Sequence, residues 1–108
     1  MAEIKWTDKK VARLWGYYAS NPSYRAQYFS YHSGKFILNY VSRHVKMEGI
    51  RDILDFGCGP GFLMENLLKN IREGKVYGLD FSRESVEQAR RKFEENRSFG
   101  GAVCVEQL

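Results

Sequence analysis

Short apolar segments alternate along this chain with segments in which apolar residues recur every three or four positions. The short segments lie around residues 50–55, 75–80 and 102–106, and they have the length and composition of buried strands. The recurring positions form a helical stripe after the first strand and another after the second: Leu63, Leu67 and Ile71, then Val86, Ala89 and Phe93. Because strands and helices alternate, the pattern predicts an α/β domain with a parallel sheet.

Local signals predict where these helices begin and end. Pro60 suits the first position of the helix after the first strand, because a proline there gives up no helical hydrogen bond. Gly74 is the expected C-terminal stop of that helix. Ser82 is the expected N-cap of the next helix, with Glu84 in its first turn. Residues 97–101 are expected to form a loop before the third strand.

The N-terminal part of the chain is rich in aromatic residues and predicts two further helices. The first begins after Thr7, which can cap it, and ends before Asn21-Pro22. Its apolar face consists of Val11, Leu14, Trp15 and Tyr18. A second helix is expected over about residues 33–45. The side chains expected to be buried against the sheet are Phe36, Ile37, Tyr40, Val41 and Val45.

A glycine-rich loop between the first strand and the following helix is the strongest signal of function. Gly57, Gly59 and Gly61 stand at every second position, directly after a strand that ends with Asp55. Glycine tolerates positive φ and lets a ligand approach the backbone closely. The next strand ends in Asp80. This order of strand, glycine turn, helix, strand and acid is typical of nucleotide-binding α/β domains.

The spacing of the glycines separates two kinds of nucleotide cofactor. The dinucleotide fingerprint has glycines at relative positions one, three and six, but the sixth position from Gly57 is Phe62 and the sixth from Gly59 is Met64. The pattern present is Asp-x-Gly-x-Gly-x-Gly. It resembles motif I of the class I S-adenosylmethionine-dependent methyltransferases, and the resemblance is strongest over residues 53–90.

The resemblance implies a Rossmann-like methyltransferase fold with S-adenosylmethionine as the cofactor. It implies that Asp55 lies near the amino-acid end of the cofactor, that Asp80 accepts hydrogen bonds from the ribose hydroxyls, and that Phe81 lies against the adenine. The candidate cofactor-binding residues are Asp55, Gly57, Cys58, Gly59, Gly61, Asp80 and Phe81. The aromatic candidates for cofactor-side contacts are Tyr18, Tyr28 and Tyr31.

Several of these residues also have a purely structural interpretation. Asp55 can cap amides of the loop, and Asp80 can be a turn acid before a helix N-cap. Phe81 can pack in the core. Cys58 can serve as a small spacer, because no histidine or lysine stands beside it in sequence to activate its thiol.

The number of predicted strands is smaller than the resemblance implies. The family fold has a seven-stranded sheet with helices on both faces, whereas this sequence predicts three strands. We therefore expect a methyltransferase fold truncated after the third strand, with residues 1–46 as an N-terminal helical segment and residues 47–108 as the first half of the cofactor-binding domain. In the family's strand order the first strand would then have an unpaired edge, and we expect self-association through that edge.

Composition and charge limit the other partners. The formal net charge of +4 permits a nucleic-acid partner, but Glu94-Glu95 directly follows the basic run Arg90-Arg91-Lys92 and such a partner is not favoured. Cys58 and Cys104 form neither a disulfide framework nor a metal motif, so no metal is expected. No apolar run is long enough to span a membrane, and no targeting leader is recognisable. A cytoplasmic location without a membrane partner is therefore expected.

The expected activity of the full-length protein is methyl transfer from S-adenosylmethionine to an unidentified acceptor, expected to be a small molecule. Alignment of donor and acceptor would supply much of the catalysis. No residue is singled out as catalytic, and these residues alone are expected to be inactive. Two alternatives stay open: a non-catalytic module that binds the cofactor or a protein, and, less favoured, an NAD-dependent oxidoreductase domain.

Overall fold

The computed structural model, which describes residues 3–108, has a parallel three-stranded sheet that follows a pair of N-terminal helices. In chain order the elements are helix α1 (Asp8–Ala19), a 3₁₀ helix (Pro22–Gln27), helix α2 (Phe29–His44), strand β1 (Asp52–Phe56), helix α3 (Phe62–Asn70), strand β2 (Lys75–Asp80), helix α4 (Arg83–Phe93), strand β3 (Phe99–Cys104) and a short 3₁₀ helix (Val105–Gln107). The strands lie in the order β1-β2-β3. The α/β fold predicted from the sequence is therefore confirmed.

The hydrophobic core lies between one face of the sheet and helices α3 and α4. Alternate residues of β2 and β3, such as Val76 and Ala102, point toward the helices and are buried. The helices contribute apolar side chains that include Met64 and Val86, both almost fully removed from solvent. Burial of a side chain of this size contributes about 1.5–3 kcal/mol relative to exposure.

The other face of the sheet carries exposed apolar side chains. Leu54, Phe56 and Tyr77 are 59%, 71% and 38% exposed. Both β-α-β connections join neighbouring strands in the same direction along the sheet, and because such connections are right-handed, α3 and α4 lie on the same face. Within residues 3–108 the opposite face consequently has no helix over it.

The N-terminal helices pack on α3 and α4. Helix α1 contacts α4 and helix α2 contacts α3. A glycine stands at each close approach: a Cβ on Gly16 would collide with the carboxylate of Glu84, and one on Gly34 would lie 2.8 Å from the amide nitrogen of Asn66. The absence of side chains at these two positions lets the helices come together.

The predicted burial of helix α2 was wrong. Phe36 and Tyr40 are 73% and 66% exposed, Val41 and Val45 are also exposed, and Ile37 is only partly buried. The buried residues of the helix are Gly34 and Leu38. Because Gly34 allows close contact with α3, the helix presents the Gly34–Leu38 stripe to its neighbour, and the aromatic stripe lies on the solvent side. The helix also begins at Phe29, earlier than residue 33.

Helix ends were predicted correctly where a side-chain cap exists. Thr7 accepts a hydrogen bond from the Lys10 amide at 3.2 Å, and Ser82 accepts one from the Ser85 amide at 3.1 Å. Strand β2 also has its predicted bounds. The ends assigned to Pro60 and Gly74 were wrong, because α3 begins at Phe62, after Gly61, and stops at Asn70. Gly74 instead lies in the turn before β2, with φ of 98°.

The first and third strands are displaced from their predicted positions. β1 spans residues 52–56 rather than 50–55, and β3 begins at Phe99, within the segment predicted as a loop. Gly100 and Gly101 favour a loop by composition, but Gly101 pairs with Tyr77 in the sheet. A Cβ on Gly100 would collide with the Tyr77 ring, so the glycine makes room for a neighbouring strand.

Candidate functional site

The glycine-rich loop turns the chain sharply from β1 into α3. The amides of Gly57 and Cys58 both donate to the carbonyl of Leu79, at 2.7 and 3.0 Å, which fastens the loop to the end of β2. Gly57, Gly59 and Gly61 all have positive φ, of 77°, 54° and 101°. Residues that carry a side chain rarely adopt this backbone conformation, so all three positions favour glycine.

The three glycines differ in what faces them. A Cβ on Gly61 would lie 2.5 Å from the Phe93 ring, and one on Gly59 would lie 3.3 Å from the Tyr28 ring. A Cβ on Gly57 would have nothing within 4 Å. Close approach of a ligand to bare backbone is therefore available at Gly57, whereas Gly59 and Gly61 are covered by protein side chains.

Asp80 connects the loop to the start of α4. One carboxylate oxygen accepts the amide of Gly59 at 2.9 Å and the other accepts the amide of Ser82 at 2.8 Å. Hydrogen bonds to a charged group contribute about 1.5–3 kcal/mol. The structural interpretation of Asp80 as a turn acid thus holds, and the carboxylate retains lone pairs for a ligand, because an ionised carboxylate has about four acceptor sites.

Asp55 lies on the strand next to Asp80 and points to the same face of the sheet. Asp55 pairs with Gly78, two residues before Asp80, and side chains alternate along a strand. Its Oδ2 atom is buried and has no hydrogen-bond partner within residues 3–108. Burial, together with the charge of Asp80, raises the pKa of Asp55 to about 6. A ligand that donates a hydrogen bond or brings a positive charge would satisfy this carboxylate.

Cys58 and Phe81 occupy different environments. The Cys58 side chain is buried against Gly78, and burial, with smaller contributions from Asp80 and Asp55, raises the pKa of its thiol to about 12. The thiol is therefore protonated at neutral pH, and a ligand could meet only the backbone of this residue. Phe81 directly follows Asp80 and is partly buried.

A cavity of about 820 Å³ lies beside the loop. Pro60, Phe62 and the predicted aromatic candidates Tyr18, Tyr28 and Tyr31 line it, whereas Asp55, Gly57, Asp80 and Phe81 do not. The buried Tyr28 ring packs over Gly59 and forms part of the wall. The three tyrosines therefore line one cavity whose lining includes neither acid. Burial and, to a smaller extent, the charge of the nearby Asp80 raise the pKa of Tyr28. The cavity is also lined by the basic residues Arg25, Lys35, Lys69 and Lys92. These residues are scattered along the sequence and come together only in the folded chain, so they are the one sequence signal for the cavity and not a local one.

Among residues 3–108, no three histidine, cysteine, aspartate or glutamate side chains come together in an arrangement that could hold a metal ion. No helix in the same range is long and apolar enough to cross a membrane.

A parallel sheet, a glycine-rich turn after its first strand and an acid at the end of the next strand define an α/β domain of the nucleotide-cofactor-binding class. A sequence profile described as "Methyltransferase domain" matches residues 53–107, about half of the chain. The chain belongs to this family, the class I S-adenosylmethionine-dependent methyltransferases. S-adenosylmethionine is the cofactor of this class.

Individual relatives agree with the family assignment. The chain is 45% identical over 42 residues to a malonyl-[acyl-carrier protein] O-methyltransferase of Legionella pneumophila, which covers 39% of this chain and 15% of that protein. It is 33% identical over 69 residues to a ribosomal protein L11 methyltransferase of Paraburkholderia phytofirmans, which covers 64% of this chain and 22% of that protein.

The crystal structure of an S-adenosylmethionine-dependent methyltransferase from Anabaena variabilis shows the same fold. It superposes with a TM-score of 0.65 over 97% of this chain and 42% of that one, at 16% identity, which supports a likeness of fold alone. The chain spans between 12% and 26% of the length of the curated relatives that it matches.

Proposed function

We propose that this chain is the cofactor-binding part of an S-adenosylmethionine-dependent methyltransferase and that it binds the cofactor along the edge formed by Asp55, Gly57 and Asp80. The observation that carries the proposal is the unpartnered Oδ2 of Asp55, which lies on the same sheet face as Asp80, beside a loop whose backbone is open at Gly57.

The donors of the cofactor fit these residues. Asp55 would accept from the amino group of the methionyl portion, whose positive charge would favour the ionised form of this carboxylate. Asp80 would accept from the ribose hydroxyls with the lone pairs that the Gly59 and Ser82 amides leave free. Phe81, next to Asp80, would lie against the adenine, and the open loop backbone at Gly57 would approach the cofactor between the two acids.

When bound, the cofactor would supply a sulfonium methyl group for transfer to an oxygen, nitrogen or carbon of the acceptor, with the neutral thioether as the leaving group. The part of this chain in that reaction is to hold and orient the donor, which lowers the entropic part of the barrier. We assign no general base among residues 3–108, and we expect these residues alone to bind the cofactor without transferring its methyl group.

We propose a small-molecule acceptor for the full-length protein, in the cytoplasm. The O-methyltransferase relative from Legionella is named for a malonyl-carrier substrate, and the relative from Paraburkholderia is named for a ribosomal protein, so the acceptor varies within the family. A nucleic-acid acceptor is less favoured, because the net charge of +4 is modest for a chain of this length.

The exposed sheet face favours a second property, self-association. β1 pairs on one side with β2, and its other edge has no strand beside it within residues 3–108. The exposed Leu54 and Phe56 side chains lie on this same strand. We propose that a second copy of the chain covers this edge and face, since unpaired edges with apolar side chains associate readily.

Calorimetric titration of the 108-residue chain with S-adenosylmethionine tests the main proposal, with NAD as the comparison ligand. We expect saturable binding of S-adenosylmethionine, and we expect Asp80→Ala to weaken it by at least about ten-fold because hydrogen bonds to a charged acceptor are lost. Glu95→Ala is the matched control, since it removes one exposed acid beyond the end of α4. Tighter binding of NAD, or no binding of S-adenosylmethionine by the folded chain, would contradict the proposal.

A further inference from the structure

We propose that the cavity of about 820 Å³ beside the glycine loop is a second binding site, which takes a small molecule that joins an anionic group to a flat apolar body. The proposed cofactor edge does not include it, because Asp55, Gly57, Asp80 and Phe81 are not among the residues that line the cavity. The inference therefore goes beyond the proposed function and does not depend on it.

Charge is the first argument for an anionic ligand. The cavity is lined by one basic residue from each of four elements: Arg25 from the first 3₁₀ helix, Lys35 from α2, Lys69 from α3 and Lys92 from α4. The only carboxylate in the described lining is Glu65, which pairs with Lys92 at 3.2 Å. Within residues 3–108, Arg25, Lys35 and Lys69 have no acidic partner inside 4 Å, so their positive charges remain available to a ligand.

Convergence in a concave site strengthens this argument. Surface lysines that stand apart are screened by solvent and salt, whereas cations around one cavity add their potentials at its centre. The four residues are far apart in sequence and come together only through the packing of α2 on α3 and of α1 on α4. An anion in the cavity would interact with several of these cations at once.

Aromatic side chains are the second argument, because they favour a flat body on the ligand. Tyr28 and Tyr31 meet the Phe62 ring edge-on, with ring centroids 5.3 and 5.1 Å from it. Tyr18 lines the same cavity. Flat rings gain from such walls through dispersion and edge-to-face contacts. A volume of this size lies within the range of about 300–1,000 Å³ typical of small-molecule sites.

A small molecule fits better than a polynucleotide. Nucleic-acid surfaces present cations along an extended stripe that follows the phosphate backbone. Here the cations surround one concavity, and its walls are aromatic. A single phosphate or carboxylate with an attached ring would use both features.

Titration with phenyl phosphate, followed by NMR or calorimetry, tests this inference on the 108-residue chain. We expect saturable binding that is at least about ten-fold tighter than that of phenol, which lacks the charge, or of inorganic phosphate, which lacks the ring. Benzoate as a further probe separates a preference for phosphate from one for any anion. Saturating S-adenosylmethionine should not displace phenyl phosphate, because the two sites are distinct.

Paired variants locate the binding. Lys35→Ala with Lys69→Ala should weaken phenyl phosphate binding by at least about ten-fold, whereas Lys9→Ala with Lys46→Ala, which removes the same charge from exposed positions outside the cavity, should leave it unchanged. Arg25→Gln provides an independent single variant. Equal losses in the two double variants, tighter binding of a single-stranded oligonucleotide than of phenyl phosphate, or no saturable binding would each overturn the inference.

Discussion

At the residue scale, Asp55 differs from an ordinary buried position in the partners of its carboxylate. A buried carboxylate normally has partners for both oxygens, because an unsatisfied charge in a poorly solvated position is unfavourable. Asp55 Oδ2 has none within residues 3–108, and its pKa is correspondingly raised to about 6. This unfavourable position at the end of a strand is the reason for our proposal that a ligand supplies the missing interaction.

The raised pKa of Asp55 predicts a pH-dependent stability. The folded state holds the proton more tightly than the unfolded state, so the free energy of unfolding falls as pH rises from about 4 to about 6 and stays lowered above that. One pKa unit corresponds to about 1.4 kcal/mol, and partial solvation reduces the effect, so Asp55→Asn should stabilise the chain by about 1–2 kcal/mol at about pH 7.5.

Urea denaturation at about pH 4 and about pH 7.5 measures this effect. The gain should appear at the higher pH and largely vanish at the lower one. Asp52→Asn, on the exposed side of the same strand, is the control and should give no gain at either pH. A gain of equal size at both values would show that the titration of Asp55 is not its source.

The loop glycines predict different responses to the same substitution. Gly57→Ala introduces a side chain at positive φ into open space, which should cost about 1–2 kcal/mol of stability. Gly61→Ala adds a collision with Phe93 to the same strain, and should cost about 2–4 kcal/mol. Thermal unfolding of the two variants checks the order. Equal losses, or a larger loss for Gly57→Ala, would contradict the assigned environments.

Helix α2 shows at the scale of elements what periodicity can and cannot predict. A helix near residues 33–45 follows from the sequence, but its aromatic residues were assigned to the wrong side. Hydrophobic periodicity identifies a stripe without saying which neighbour it meets. The buried side is chosen by Gly34, whose missing side chain permits contact with Asn66. Because a glycine contributes almost nothing to the hydrophobic pattern of a helix, the sequence did not indicate which side of α2 is buried.

The orientation of α2 predicts a large loss of stability on truncating one apolar residue and almost none on truncating another. Leu38→Ala should lower the free energy of unfolding by about 2–4 kcal/mol, since it leaves a cavity in the core. Phe36→Ala, at an exposed position two residues earlier on the other side of the helix, should change it by less than about 0.5 kcal/mol. Denaturant unfolding of both variants compares the two faces. A larger loss for Phe36→Ala would mean that the helix is turned the other way.

The sheet and the candidate site also contain some features that the sequence predicts and others that it does not. Strand β2 and the caps at Thr7 and Ser82 were predicted because their signals are local. The start of β3 was missed because Gly100 makes room for the Tyr77 ring and Gly101 pairs with Tyr77 in the sheet, and both are contacts between residues distant in sequence. Likewise the glycine loop and the acids Asp55 and Asp80 were recognisable in sequence. The basic cavity was not, since four separate elements must pack before its residues meet.

At the scale of the whole molecule, helices cover one face of the sheet, and the other face is uncovered within residues 3–108. Exposed apolar groups at Leu54, Phe56 and Tyr77 lie together over β1 and β2, next to the unpaired edge of β1. Apolar patches of this kind on a sheet mark surfaces that associate. The chain should therefore change its association state with concentration.

Light scattering after size-exclusion chromatography should detect this association as a molecular mass that rises above that of one chain as concentration increases. Leu54→Lys with Phe56→Lys should restore a monomer, because two charges on the edge strand oppose pairing. Phe36→Lys with Tyr40→Lys places the same charges on the exposed side of α2 and should leave the association intact. A monomer at all concentrations would contradict the proposal, and rescue by the α2 variant alone would move the contact to that helix.

The packing of α1 on α4 and of α2 on α3 has a consequence for synthesis on the ribosome. The N-terminal helices emerge first, but the surfaces on which they pack lie in residues 62–93 and are made later. Until these later residues are made, Tyr28 cannot pack on the glycine loop and Leu38 cannot be buried in the core. The aromatic N-terminal segment is therefore exposed until α3 and α4 have been synthesised. During this interval the nascent protein should be most accessible to chaperones that bind apolar chain segments.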